Sequence, residues 1–388
     1  TYINNDQASK GDDVYQELYR QHPMSSFVSK AKLKEGLSYY NSGQNEKALT
    51  ALKALTTQFP NTPEAIQAVA TAKQIYVDQG NVAAYADWVK GLDFVSVTEN
   101  ELEKASFESA ERQFVQNKPK AAIKGFENYI SQFPNGSQVL KSHFYLGQLY
   151  YKDGMHDQAL PHYQYVVNQN RSEFSEEAAV RAAEIYMDNE AFTKAIPILR
   201  TLEQGADFQE NIIFAQSNIM KASFDLKDYP QTISYAEKVL ANSKVDDRIK
   251  SDAHVMIARS AMETGNEAKA KEAYAAVQKI ATGELAAEAL YYDAYFKNKE
   301  GAYQQSNASA QKLAKDYSSY KEFGAKGLVI MAKNFAAMDD AFQATYILQS
   351  VIENFGQFPE VTQEAQLVLA KVKEREAQRN SSIAPNQN

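Results

Sequence analysis

The chain has 388 residues, 44% of them apolar, so it can bury a large core. Its net charge of −8 argues against nucleic-acid binding, which concentrates Lys and Arg on one face, and its lack of cysteine excludes disulfides, thiolate zinc sites and cysteine nucleophiles. No apolar run approaches about 18 residues, so nothing reads as membrane-spanning, and no charged stretch followed by an apolar core opens the chain as a secretory signal would. Ala, Glu, Lys and Gln dominate over Gly and Pro, the composition of an all-α protein.

In chain order, the first predicted helix lies in GDDVYQELYRQHP, where Gly11, Tyr15, Leu18 and Pro23 fall 37 residues ahead of Ala48, Leu52, Leu55 and Pro60. The phrase QFPNTPEA at 58–65 returns as QFPNGSQV at 132, its prolines Pro60 and Pro134 lying 74 residues, or two periods, apart. A small residue opens the second helix of each unit: Ala48, Ala84, Ala122, Ala159, Ala195, Thr232, Ala270, Ser306 and Ala344, at gaps of 36 to 38. Fixed-period self-similarity of this kind marks a repeat architecture.

Twelve residues before each of these comes another small residue: Gly36, Ala72, Ala110, Gly147, Ala183, Ala258, Ala294 and Ala332, with Met220 the large exception. Small residues there let two helices approach closely. Three or four positions later an aromatic fills the space, as at Tyr39, Tyr76, Phe114, Tyr150, Tyr186, Phe224 and Phe335. Gly43, Gly80, Gly154, Gly265 and Gly301 sit where a left-handed cap must join two helices. Thr62 followed by Pro63, and Ser175 followed by Glu176 and Glu177, read as helix starts. Each unit is a helical hairpin of about 37 residues that cannot bury its own apolar face, so stacked units share a continuous core.

The pattern carried by Gly36, Tyr39, Ala48, Leu52 and Pro60, and again by Leu146, Gly147, Tyr150, Ala159 and Tyr163, resembles the tetratricopeptide repeat over roughly residues 29–353. That resemblance implies an all-α, right-handed superhelical solenoid of about nine hairpins. Residues 1–28 then hold the second helix of a truncated or degenerate repeat, 354–379 a C-terminal capping helix and 380–388 a disordered tail. Because a solenoid usually begins with a capping unit, the chain reads as the C-terminal part of a longer repeat protein. The loop from proline to the next small residue is 12 or 13 long, where ordinary repeats have about 10. This F-P-x-S-type loop resembles the bacterial envelope members of the family, among them the lipoprotein of the outer-membrane β-barrel assembly machinery and the Tol–Pal coordinator.

Chemistry-bearing motifs are absent from the sequence: no H-E-x-x-H, G-x-S-x-G, Walker or dinucleotide fingerprint occurs. His156 and His162 lie six apart on different faces, unlike a metal pair on one helix, and no metal or cofactor is expected. Asp246–Asp247 and Asp339–Asp340 fall in predicted turns, where Asp caps helices. The Asn307-Ala308-Ser309 sequon lies within a predicted helix.

Function is then sought on the first helices, where the resemblance places the concave groove one residue and four to five residues after the small position. In the C-terminal half the first of these positions holds Lys221, Arg259, Tyr295 and Lys333, and neighbouring groove positions add Phe224, Tyr291 and Asn298. An aromatic and cationic strip on an acidic protein suits an acidic peptide or a free carboxylate. The alternative is a set of solvated charges satisfied by neighbours such as Glu263 and Glu288. The carboxylate clamp of chaperone-binding repeats needs Lys and Asn four apart on one helix, then Lys and Arg on the next, and these positions do not supply it. Three readings follow. The first is a non-catalytic scaffold in the bacterial cell envelope, periplasmic or outer-membrane-associated, that holds a partner peptide or loop in the groove. The second is an intracellular regulator that recognises a peptide signal. The third is the substrate-recruiting region of a longer enzyme. Reversing charge at Lys221, Arg259 and Lys333 is expected to abolish binding and leave melting unchanged.

Overall fold

The predicted spacing of small and aromatic residues translates into helix pairs. The computed structural model describes residues 8–23 and 25–383, and among these are twenty α-helices and no strand. A single helix α1 (Ala8–Gln21) is followed by nine hairpins. They are α2 (Ser26–Asn41) with α3 (Asn45–Gln58), α4 (Pro63–Asp78) with α5 (Val82–Val89), and α6 (Glu99–Val115) with α7 (Pro119–Gln132). Next come α8 (Val139–Lys152) with α9 (His156–Val167), α10 (Ser175–Asp188) with α11 (Phe192–Gly205), and α12 (Gln209–Asp225) with α13 (Tyr229–Ala241). The last three are α14 (Asp247–Glu263) with α15 (Glu267–Ile280), α16 (Gly283–Lys299) with α17 (Tyr303–Asp316), and α18 (Lys321–Ala337) with α19 (Ala341–Asn354). A long helix α20 (Pro359–Ile383) closes the series, reaching into the stretch expected as a tail, of which 384–388 lie outside the described residues. The side chain of Tyr15, placed in register by the sequence, also lies outside them.

The chain forms two compact units, Thr1–Ala182 and Ala183–Asn388. Within each, consecutive helices pack pairwise, and first helices also touch one another, as α2 does α4 and α16 does α18. The small residues at both register positions are almost all fully buried, Met220 included. The reason for glycine is direct at Gly147, where an added Cβ would stand 2.8 Å from the buried ring of Tyr163.

All nine hairpins turn through one left-handed residue, seven positions after the first small residue or, at Gly80, eight. Gly43, Gly80, Gly154, Gly265 and Gly301 take φ between +71° and +76°, while Asn117, Glu190, Lys227 and Asp339 do so without being glycine. A Cβ in that conformation costs about 1–2 kcal/mol, offset in part by the greater entropy glycine loses on folding. Lys227→Gly is therefore expected to raise stability by about 0.5–1 kcal/mol, read as a higher urea midpoint at unchanged slope.

The two QFPN phrases end helices differently. After α3, Asn61 is left-handed at φ +66°, and Thr62 caps α4 by accepting from the Ala65 amide at 3.2 Å. After α7, Glu103 of α6 instead gathers the loop. It accepts from the Tyr129 hydroxyl at 2.8 Å, the Ser137 amide at 2.6 Å and the Ser137 hydroxyl at 2.8 Å. These bonds, the Ser137 hydroxyl first, hold the Glu103 carboxyl below its usual range, while burial pushes the Tyr129 phenol up to about 12. The serine of the loop thus ties one repeat to its neighbour. Ser175 departs from the expected cap, because it is the first residue of α10 and its hydroxyl accepts from the Ser172 amide behind it.

One hairpin breaks the pattern. Helix α5 has only 8 residues, and Ala84 is half-buried while the adjacent Tyr85 is buried in its place. The chain leaves the helix at Lys90 and runs without regular structure from Val95 to Thr98, with Leu92, Phe94, Val95 and Val97 packing on the core. The sole tryptophan, Trp88, sits here against Tyr76 and Tyr85, beneath the Lys53 ammonium.

Candidate partner-binding face

The predicted strip residues all lie on first helices of the second unit: Lys221 and Phe224 on α12, Arg259 on α14, Tyr291, Tyr295 and Asn298 on α16, and Lys333 on α18. Each cation is paired to a carboxylate two helices on, on α14, α16 or the closing helix α20. Lys221 lies 3.4 Å from Asp252, Arg259 grips Glu288 through two bonds of 3.0 and 2.6 Å, and Lys333 meets Glu364 at 2.5 Å. The cations keep 35%, 42% and 36% of their side-chain surface exposed, so their outer faces remain open to solvent.

The pairs differ in depth. Glu288 is buried and also accepts from the Tyr274 hydroxyl at 2.8 Å, and burial with that carboxylate beside it pushes the Tyr274 phenol well up. The bond to Glu288 in turn raises the Arg259 guanidinium above its ordinary value. Charge reversal at Arg259 would set two carboxylates together in a partly dry site, so the expectation of unchanged melting does not hold for that residue.

The aromatic positions are also engaged. Tyr295 donates to Glu267 at 3.0 Å, and Tyr291 and Tyr295 pack against the cluster of Ala294, Ala310, Ile330 and Met331. Burial pushes both phenols upward. Phe224 meets Tyr229 edge to face at 6.1 Å. Asn298 donates to Asn334 at 2.6 Å, and the fully buried Asn334 donates to Ser306 at 2.8 Å and Asn307 at 2.7 Å. The Asn307 sequon is thereby consumed inside the packing. Of the expected turn carboxylates, Asp246 caps α14 by accepting from the Ile249 amide at 2.9 Å, and Asp340 caps α19 by accepting from Gln343 at 3.0 Å.

The strip ends in a cleft of 340 Å³ between α18, the start of α19 and α20, where Lys333, Lys371 and Arg375 stand around Ala336, Val368 and Val372. Arg375 bonds Asp339 at 2.8 Å across its mouth. The sequence reading stopped at Lys333 and missed Lys371 and Arg375, because it assigned α20 only the role of a cap. In the first unit a cleft of 470 Å³ is lined by Phe114, Gln148, Tyr151, Tyr163, Glu177 and Arg181, among others. The Arg181 guanidinium lies 4.8 Å from the centre of the Tyr151 ring, and Gln148 donates to Glu177 at 3.0 Å. Gln148 and Tyr151 obey the same positional rule as Lys221 and Phe224, so this cleft was findable from register.

His156 and His162 point apart as expected, with His156 stacked on Tyr151 at 4.7 Å. His162 instead meets His143, which sequence spacing did not reveal. No group of three or more His, Asp or Glu among the described residues could hold a metal ion, and no described helix is long and apolar enough to cross a membrane.

Two descriptions of the tetratricopeptide repeat match the chain, one over residues 30–62 and 141–171 and the other over 251–282. The chain carries tetratricopeptide repeats. The matched windows fall on the α2–α3, α8–α9 and α14–α15 hairpins, which have Gly43, Gly154 and Gly265 at their turns. No curated protein matches the chain. Among solved structures it is similar to a tetratricopeptide repeat protein from Parabacteroides merdae, at 14% identity over 68% of this chain and 98% of that one, with a TM-score of 0.34. It is also similar to the C-terminal part of a TPR repeat-containing protein from Cytophaga hutchinsonii, at 13% identity, 66% and 98% coverage and a TM-score of 0.37. A third is PilF of Pseudomonas aeruginosa, at 13% identity, 54% and 90% coverage and a TM-score of 0.28.

Proposed function

We propose that these repeats form a non-catalytic protein-binding scaffold in the bacterial cell envelope, which holds a carboxylate-bearing peptide or loop along the first helices of the second unit. The observation that carries this reading is the cleft at the end of the strip, where Lys333, Lys371 and Arg375, with Asp339 and Glu376 among them, surround an apolar floor. Cations with apolar contacts between them fit an acidic segment that also carries apolar side chains. Along the strip, a partner carboxylate can share or displace the half-exposed Asp252 and Glu364, while the buried Glu288 keeps Arg259 fixed as a rigid rail. A preformed surface lowers the ordering cost of binding. The envelope assignment rests on the lengthened loop that follows QFPN at 58–61 and 132–135 and on the absence of cysteine.

The test is photo-crosslinking in living cells, with a probe at Tyr295, a second at Val368 and a control at the exposed Lys312 of α17. One envelope protein captured at Tyr295 and Val368 but not at Lys312 is the expected result. Introducing Lys371→Glu, a surface change, is expected to weaken that capture at least tenfold without altering the melt. Equal adducts at all three positions would overturn the binding face, and a cytoplasmic partner would overturn the compartment.

A further inference from the structure

The α8–α9 hairpin holds a histidine pair that the binding strip does not use. His143 on α8 and His162 on α9 set their Nδ1 atoms 2.9 Å apart. At that distance one nitrogen must donate and the other accept, so the contact holds one hydrogen. It tolerates two neutral rings, or one imidazolium donating to a neutral ring, but a second proton would aim two N–H donors at each other.

The surroundings clamp this geometry. His143 stacks on Tyr165 with ring centres 3.8 Å apart and planes 15° apart, and His162 lies near-parallel to Tyr150 at 5.7 Å. The titratable groups facing the pair are Glu127 from α7, which accepts from the Tyr150 hydroxyl at 2.6 Å, together with Tyr150 and Tyr165. Burial pushes the Tyr150 phenol up to about 12, so it stays neutral as the pH falls. The Glu127 charge favours proton uptake on His162, so the first proton settles there and the second must enter His143 against it.

We infer that the His143–His162 pair is an acid-sensitive latch on the α8–α9 hairpin, which opens when both rings are protonated and reshapes the cleft lined by Gln148, Tyr151 and Tyr163. Burial lowers both rings, His143 to about 4 with the His162 charge as the second cause. A histidine whose folded value lies below its unfolded value of about 6.5 binds fewer protons in the native state. Its contribution is complete above about pH 6.5 and is lost as the pH falls towards 4. The hairpin is therefore latched at neutral pH and released in acid, whatever partner the protein binds.

The experiment follows the histidine ring resonances by NMR and helix-resolved amide exchange by mass spectrometry from pH 7.5 to 4. Wild type, His143→Gln and His162→Gln are compared, each first checked at pH 7.5 by circular dichroism and Trp88 fluorescence. The expected result is a His143 titration more than one pH unit below free histidine. Protection of α8 and α9, corrected for intrinsic rates, should fall at least tenfold between pH 6.5 and 4.5, while α16–α19, which carry no histidine, hold theirs. The Gln variants should lose that pH dependence. If a variant fails to fold, the wild-type titration and exchange decide alone. Titration of both rings near 6.5, a loss of protection spread evenly over all helices, or unchanged acid opening in a folded Gln variant would overturn the latch. So would micromolar Zn²⁺ shifting both ring resonances at pH 7.5, since the pair would then be a metal site.

Discussion

Arg259→Glu unfolds the second unit at lower urea, by about 3 kcal/mol, measured by far-ultraviolet circular dichroism. The cause is local: Glu288 is buried, bonded twice by the guanidinium and once by Tyr274, and removing the cation leaves a buried carboxylate without its counter-charge. Breaking one partner of such a pair costs about 3–5 kcal/mol, whereas replacing the whole set by apolar residues is close to neutral. The triple variant Arg259→Met, Glu288→Leu, Tyr274→Phe is accordingly expected to recover most of the loss. Lys333→Glu supplies the contrast. Both members of its pair are well exposed, and exposed pairs contribute about 0–1 kcal/mol, so its melt should move little. Equal losses at Arg259 and Lys333 would show that depth of burial does not set these energies.

Asn334→Ala is the second large effect, a loss of about 3 kcal/mol in a thermal or urea melt. The amide of Asn334 is fully buried between α16, α17 and α18 and serves three partners, Asn298, Ser306 and Asn307. Truncation opens a void and leaves the buried Asn307 side-chain oxygen without its donor, while Ser306 keeps its bond to the Ala294 carbonyl, and a buried group left unsatisfied costs about 1–3 kcal/mol. Asn334→Leu fills the space and still leaves the Asn307 oxygen unpaired, so it should restore little. A loss below about 1 kcal/mol in both variants would mean that water replaces the amide.

Register made most of the fold legible, because a hairpin too small to bury its own face must repeat its contacts at fixed intervals. Gly36, Gly147 and the five turn glycines announce themselves by residue type. The four non-glycine left-handed residues do not, and only their place seven residues after the small position gives them away. The shortened α5 was not legible, since Ala84 keeps the period and the repeat pattern overrode the extended bias of Val95 and Val97. For the strip, sequence located the cations and even named Glu288 as a neutralising neighbour. It did not reveal that Asp252, Glu288 and Glu364 recur 29 to 31 residues downstream, which places them two helices on, on α14, α16 and α20. Pairing is a property of stacking geometry, and a list of same-face residues within one helix does not contain it.

The short α5 changes how mechanical load runs through the first unit. In a stack where each hairpin leans only on its neighbours, the whole is as strong as its weakest junction rather than its average one. The α6–α7 and α8–α9 hairpins of the first unit each offer two full helices, but at α5 a loop of apolar side chains carries half the seam. Tension along the chain is therefore expected to concentrate there, so that α1–α4 come away while α6–α9 keep their order. That seam is a fuse, and Trp88, lodged within it, is the chain's own lamp for seeing it go.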